Sequence, residues 1–329
     1  MKVGVFSSKP YDIEFFSRFG INAGFELDFL ESRLAPETRT LVSPYDAVCV
    51  FVNDVIDDAV LTMLEACDVG HVALRCSGFN NVDLDRAKQL GISVSRVPAY
   101  SPQAVAEHTV SLILTLNRKL HKAYNRVKEG NFSLDGLLGY DMHGKTVGIV
   151  GTGAIGQATL RILMGFGCQV ICVDPYPADA VEQLGARYVN WKTLLRESDI
   201  ISLHCPLTRE SQHMIDAAAI EQMKDGVVLI NTSRGALVDT RAVVAALKSH
   251  KIAQLGLDVY EMESELFFQD RSCEVIQDDV FQRLSTFHNV LITGHQGFFT
   301  YEAMEQIAKT TLDNLQAFFA GQVNQQTFI

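Results

Sequence analysis

The stretch Thr146-Val147-Gly148-Ile149-Val150-Gly151-Thr152-Gly153-Ala154-Ile155-Gly156 decides how this chain folds. An apolar, β-branched run from Val147 to Val150 leads straight into Gly151-x-Gly153-x-x-Gly156. Leu160, Ile162, Leu163 and Phe166 follow at helical spacing, with Gly165 and Gly167 to end the helix. A second apolar run, Val170 to Val173, ends in Asp174, close to the roughly 20-residue separation of a dinucleotide-binding fingerprint. The pattern is strand, glycine turn, helix, strand, acid.

Each residue type has a physical reason. Gly151 permits a tight turn, Gly153 lets the backbone approach a pyrophosphate, and Gly156 lets the helix pack onto the strand. The helix start, with Ala154 and Ile155, offers unpaired N–H groups and a positive dipole end to phosphates. Asp174 can accept hydrogen bonds from both ribose hydroxyls of NAD and would repel a 2′-phosphate. A lone GxGxxG is often only a glycine-rich turn. With the strand before it, the helix after it and the spaced acid, the motif points to NAD as cofactor.

The motif opens in the middle of a 329-residue chain, so something else is built before it and two domains are expected. The net charge of −11 argues against nucleic acid or an anionic membrane as partner. No run of about 20 apolar residues suggests a membrane span. The seven cysteines are scattered, with no C-x-x-C pair; several lie in apolar runs, where they read as buried reduced thiols, and no metal site is expected. Lys9-Pro10 interrupts the first apolar run too early for a secretory signal, so the expected location is cytoplasmic.

Before the motif, apolar runs at residues 2–7, 25–30, 47–52, 71–74 and 92–97 read as strands alternating with helices, which predicts a small parallel α/β domain. Pro98-Ala99-Tyr100-Ser101-Pro102 marks a crossover, and Ser101-Pro102 is a good helix start. One long helix is expected over residues 103–128. Its first half is apolar on nearly every side, as if buried between domains or against another subunit, and its second half is basic. After the motif, strands are expected at 200–204, 227–231, 255–259 and 290–293, and a final helix over 301–319.

In open α/β sheets ligands bind at the carboxyl ends of strands. Four polar clusters fall there: Leu203-His204-Cys205-Pro206, Asn231-Thr232-Ser233-Arg234-Gly235, Asp258-Val259-Tyr260-Glu261-Met262-Glu263 and Thr293-Gly294-His295-Gln296. Cys205, Pro206, Thr232, Ser233 and Asp258 are candidates for cofactor contacts. Arg234, Glu263 and His295 make a coherent set for reducing a 2-keto acid. The Arg234 guanidinium can hold a carboxylate bidentately and polarise a carbonyl. His295 can protonate the carbonyl oxygen as hydride arrives, and Glu263 beside it would favour the imidazolium. Taken singly, each has a plainer reading: a surface arginine, a solvated acidic run through Glu261, Glu263 and Glu265, a satisfied histidine. Glu261 and Glu265 stand close enough that spacing alone does not single out Glu263.

The pieces Gly144-Lys145-Thr146-Val147-Gly148-Ile149-Val150-Gly151, Leu203 to Thr208, Asn231 to Asp239, Leu257 to Glu261 and Gly294-His295-Gln296 closely resemble the D-isomer-specific 2-hydroxyacid dehydrogenases. Leu74 to Asp83 and Arg96 to Pro102 resemble the family's fermentative, NAD-dependent D-lactate-forming subgroup. The resemblance covers essentially the whole chain. It implies two parallel-sheet domains, Rossmann-like and flavodoxin-like, with the NAD domain (100–295) inserted into a discontinuous substrate domain (1–99 and 296–329). It implies Arg234, Glu263 and His295 as the catalytic set, with Asp258 supporting the site near the nicotinamide. Ser77 and Gly78 would present backbone N–H groups to the substrate carboxylate, Tyr100 would touch the substrate, and Phe51 and Phe298 would line the pocket around its side chain. It also implies a homodimer or homotetramer.

The expected reaction is the NADH-dependent, reversible reduction of pyruvate to D-lactate. Relatives that act on glyoxylate, hydroxypyruvate or phenylpyruvate keep a different small 2-keto acid in view. The same fold also serves non-enzymatic NAD-sensing proteins, which fold alone does not exclude.

Overall fold

The computed structural model describes residues 1–21 and 23–329, Glu265 by its backbone alone. The chain divides into two compact units. One comprises Met1–Ser101 and Phe299–Ile329, the other Pro102–Phe298.

The first unit alternates strand and helix: β1 (Lys2–Val5), α1 (Pro10–Gly20), β2 (Glu26–Phe29), α2 (Arg39–Val42), β3 (Ala47–Val50), α3 (Asp58–Glu65), β4 (His71–Leu74), α4 (Leu84–Gln89) and β5 (Ser93–Ser95). Its five strands are all parallel, in the order β2-β1-β3-β4-β5. Every residue of β3 and β4 is buried, as a parallel sheet covered on both faces requires. Asp57 and Asp83 cap α3 and α4 by accepting the N–H groups of Val60 and Arg86. The last segment returns as a long helix (residues 301–319), and the tail after it lies along the outer edge of β5, where Ser95 and Phe328 form an antiparallel bridge.

The second unit contains α5 (Pro102–Arg118), α6 (Leu120–Lys128), β6 (Thr146–Val150), α7 (Ala154–Gly165), β7 (Gln169–Val173), α8 (Asp179–Gln183), β8 (Arg187–Tyr188), α9 (Trp191–Glu197), β9 (Ile200–Leu203), α10 (Ala217–Gln222), β10 (Val227–Asn231), α11 (Thr240–Lys248), β11 (Ile252–Leu257), α12 (Asp279–Ser285) and β12 (Val290–Ile292); α13 (Tyr301–Phe319) belongs to the first unit. Seven parallel strands run in the order β12-β11-β10-β9-β6-β7-β8. The glycine-turn strand β6 is central, and strand order reverses between it and β9. That is the doubly wound arrangement, in which ligands bind at the switch point.

The structure departs from the sequence reading in two places. The helix expected over residues 103–128 is two helices. Lys119 adopts a left-handed conformation (φ 50°, ψ 39°) that ends α5 and starts α6. The apolar half, α5, contributes to the core of its own unit. Val110, Leu112, Ile113 and Leu116 pack with Val147, Ile149, Val228 and Ile230 in the core of their own unit. The short elements α2, β8 and α12 carried no periodic signal. Each is too brief to display one, although Asp278 caps α12 by accepting from Val280 and Phe281 N–H.

Candidate active site

At the switch point, the fingerprint glycines meet three different constraints. Gly151 has φ +94°, and a Cβ there would lie 2.7 Å from the backbone of His204 and Cys205, so the turn is pressed against the end of β9. At Gly156 a Cβ would fall 2.0 Å from the Gly151 carbonyl oxygen. This close contact joins α7 to its own turn. At Gly153 a Cβ would meet nothing within 4 Å, which leaves the backbone open to a phosphate. Asp174, just past β7, braces the loop. Its carboxylate accepts from Thr152 N (2.6 Å) and Oγ1 (3.1 Å) and from Tyr176 N (2.8 Å). The turn, the start of α7 at Ala154 and Ile155, and an acid at the next strand end together fit a dinucleotide.

Cys205 and Pro206 follow β9. Burial pushes the Cys205 thiol up to about 11, so it stays neutral. Ser233 Oγ donates to the Cys205 carbonyl (2.7 Å), and Thr232 Oγ1 lies 2.8 Å from the buried Thr109 hydroxyl of α5. The first bond ties the ends of β9 and β10 together, and the second ties the end of β10 to α5. His204 lies beneath them, its Nε2 2.9 Å from Ser202 Oγ, and burial pulls its ring down to about 4.

Arg234 follows in the same loop. Asn231 organises it by accepting from Ser233 N (3.0 Å) and donating to the Arg234 carbonyl (2.8 Å). Arg234 Nη1 donates to Ser233 O (2.7 Å). A Cβ at Gly235 would sit 2.1 Å from the Tyr260 carbonyl carbon, so the arginine loop is pressed against the turn that carries Glu263.

Asp258, at the end of β11, has a side chain only 2% exposed. Its Oδ1 accepts from Thr293 Oγ1 (2.5 Å) and Gln296 N (2.9 Å), with His108 Nε2 at 3.2 Å, and its Oδ2 accepts from Gly297 N (2.8 Å). Its carbonyl accepts from His295 N (2.7 Å). Burial alone would raise this carboxyl. The hydrogen bonds from His108 and Thr293, with the fields of His108 and His295, outweigh it and hold the group down at about 2.

The bonds from Asp258 hold His295 in a left-handed conformation (φ 53°) that costs a non-glycine residue about 1–2 kcal/mol. His295 Nδ1 lies 2.8 Å from Glu263 Oε1, and Glu263 Oε2 accepts from Tyr260 N (2.9 Å). The neighbouring acid is otherwise engaged. Glu261 pairs with His213 (2.7 Å) and accepts from Thr240 Oγ1 (2.9 Å). The Glu265 side chain lies outside the described residues. With the Glu263 carboxylate accepting at Nδ1, that nitrogen carries the hydrogen, and Nε2 is the atom left to exchange a proton.

Sequence reasoning missed His108. It sits on α5, far along the chain from its partners Asp258 and Thr293, the latter 185 residues away, and only its polarity on an apolar helix could have flagged it.

In the first unit, Phe51 follows directly on β3 and is 8% exposed. Its N–H donates to Asp54 Oδ2 (2.8 Å), its carbonyl accepts from Asn81 Nδ2 (3.1 Å), and the buried Arg75 guanidinium lies 5.0 Å from its ring centre. Ser77 and Gly78 follow β4, and Ser77 Oγ donates to Pro98 O (3.0 Å). Tyr100 is half-buried at the end of this unit, and Phe298, 8% exposed, closes the other.

A doubly wound sheet with this turn, an arginine at one strand end and a carboxylate-paired histidine at another define an NAD-dependent oxidoreductase. Residues 110–297 match the family model described as D-isomer specific 2-hydroxyacid dehydrogenase, NAD binding domain. The chain is 55% identical over 315 residues to the D-lactate dehydrogenase of Escherichia coli K12, covering 96% of each. Among solved structures, it superposes on the apo-structure of Escherichia coli D-lactate dehydrogenase with a TM-score of 0.90, at 50% identity over 99% of both chains. It superposes on D-lactate dehydrogenase from Aquifex aeolicus, solved with NAD and lactic acid, with a TM-score of 0.90, at 34% identity over 99% of this chain and 98% of the other. The chain belongs to the D-isomer-specific 2-hydroxyacid dehydrogenase family.

The Asp258 hub predicts a pH signature. A carboxyl lowered in the folded state stabilises it above the unfolded value near 4, and that contribution disappears as pH falls through about 2. The shift corresponds to roughly 2 kcal/mol. Urea midpoints measured between pH 5 and pH 2 will fall more steeply for the parent than for Asp258→Asn. Parallel curves would contradict the hub.

Proposed function

We propose that this protein reduces pyruvate to D-lactate with NADH, and runs the reverse reaction when lactate and NAD are in excess. The observation that carries this reading is the His295–Glu263 pair at 2.8 Å in a chain so similar to D-lactate dehydrogenases. The cofactor is held by the turn from Gly151 to Gly156, by Asp174 at the ribose, and by Cys205, Pro206, Thr232, Ser233 and Asp258 at the strand ends. Bound NADH supplies the hydride that reaches C2 of the keto acid.

The protein's own residues do the rest. The Arg234 guanidinium grips the substrate carboxylate and polarises the carbonyl. His295, as imidazolium, gives its Nε2 proton to the carbonyl oxygen, so that hydride and proton together convert ketone to alcohol. The Glu263 carboxylate fixes the ring and stabilises its positive charge before transfer. In the reverse direction, neutral Nε2 takes the hydroxyl proton. The residues 1–101 and 299–329 form the substrate unit. In it the Ser77 and Gly78 amides receive the carboxylate, Tyr100 contacts the substrate, and Phe51 restricts the side chain to a small one.

No disulfide joins the cysteines, and no helix among the described residues is long and apolar enough to cross a membrane. Reduced thiols fit the cytoplasm. We also read α6 and the loop after it as a homodimer surface. Leu120, Tyr124 and Val127 form one exposed face, and Phe132, Leu134 and Leu138 are exposed beside them (74%, 81% and 88%).

NADH oxidation with pyruvate, followed by chiral analysis, tests the reaction. The parent will form D-lactate, and His295→Gln will lower kcat by about 100-fold or more while still binding NADH. Faster turnover of a larger keto acid would move the substrate, and no turnover of any keto acid would sink the reading. For the surface, light scattering of Tyr124→Glu will show about half the parent's mass; a monomeric parent would rule the dimer out.

A further inference from the structure

The Ser77–Gly78 peptide is held from behind. Arg96, one residue past β5, donates from Nη1 to the Ser77 carbonyl oxygen (2.9 Å). The Phe79 ring lies 5.0 Å from its guanidinium carbon, and Arg96 Nε is buried without a partner, so the Ser77 bond is the head group's one hydrogen bond among the described residues. The arginine's backbone is fixed at both ends. Its N–H donates to Thr327 O (2.8 Å) in the C-terminal tail, and its carbonyl accepts from Asn314 Nδ2 (3.1 Å) on α13. Next to it, Val97 N donates to Cys76 O (3.0 Å), and Ser77 Oγ donates to Pro98 O.

In a trans peptide the C=O and the following N–H point in opposite directions. Among the described residues no peptide bond is cis, so fixing the Ser77 carbonyl against Arg96 aims the Gly78 N–H directly away from Arg96. No protein group among the described residues accepts that N–H. A carbonyl that accepts a charged hydrogen bond also polarises its amide and makes the N–H a stronger donor. We infer that Arg96 aims and strengthens the Gly78 amide for the substrate carboxylate, acting through the Ser77–Gly78 peptide without touching the substrate. It is a positioning residue. The inference rests on the reading above that this amide receives the carboxylate. It also gives the C-terminal segment a role in the site, because α13 and the tail hold Arg96, and Arg96 holds the donor.

The test compares parent, Arg96→Met and Arg96→Lys for pyruvate KM, kcat, inhibition by oxamate, NADH binding and thermal unfolding. The expected result for Arg96→Met is an increase of about 10-fold in both pyruvate KM and oxamate Ki, with kcat at saturating pyruvate within about threefold and NADH binding unchanged. Arg96→Lys keeps a charged donor and will lie between the two. It carries the test if Arg96→Met does not fold. An unchanged oxamate Ki in folded variants of an enzyme that reduces pyruvate would overturn this inference alone. So would a parallel loss of kcat, NADH affinity and thermal stability, the pattern of general loosening. A parent inert toward pyruvate would overturn the functional reading as well.

Discussion

The buried carboxylate of Asp258 is the interaction on which the second unit's chemistry depends. An acceptor that is almost fully desolvated must be satisfied or it destabilises the fold. Here the partners come from separated parts of the chain: Thr293, Gln296 and Gly297 after β12, and His108 from α5. The electrostatic cost of burial and the geometry of the histidine are therefore settled by the same bonds. With Gln296 and Gly297 drawn onto the carboxylate and the His295 N–H bound to the Asp258 carbonyl, the backbone at His295 is forced into a left-handed turn, and its ring reaches Glu263. One residue thus sets the position of the group proposed to move the proton, without being that group.

A related economy holds the arginine loop. Gly235 lies so close to the peptide following Tyr260 that no side chain fits, and this presses the end of β10 against the turn bearing Glu263. Glu261, two residues earlier, is drawn to His213 and Thr240 instead. The carboxylates of the acidic run therefore act separately. One faces His295, and another ties α11 to the loop after β9. In the first unit the corresponding constraint is the brace of α13 and the tail on Arg96. It couples the chain's last residues to a peptide after β4.

Much of this was legible in the sequence, because buried parallel strands must be apolar along their whole length and a pyrophosphate turn must be glycine. The strands β3, β6, β9 and β10 and the Gly151–Gly156 turn were therefore readable, as was the doubly wound class that follows from alternating strands and helices. Periodicity reports burial, however, and does not name the partner. It showed that α5 is buried, but not that it packs on its own sheet. It gave no sign of the break at Lys119, where a residue with no glycine or proline signal turns left-handed. It could not tell Glu261 from Glu263, since both lie in one turn and their histidines lie about 30 to 50 residues away in opposite directions along the chain. His108 and Arg96 were invisible for the same reason: each acts on a group distant in sequence.

The most direct test is a crystal structure with NAD and oxamate bound. The account predicts oxamate with its amide-side carbonyl oxygen about 3 Å from His295 Nε2, Arg234 on its carboxylate, and Asp258 still accepting from Gln296 and Gly297. Oxamate bound away from His295, or a His295 ring detached from Glu263 in the complex, would contradict it.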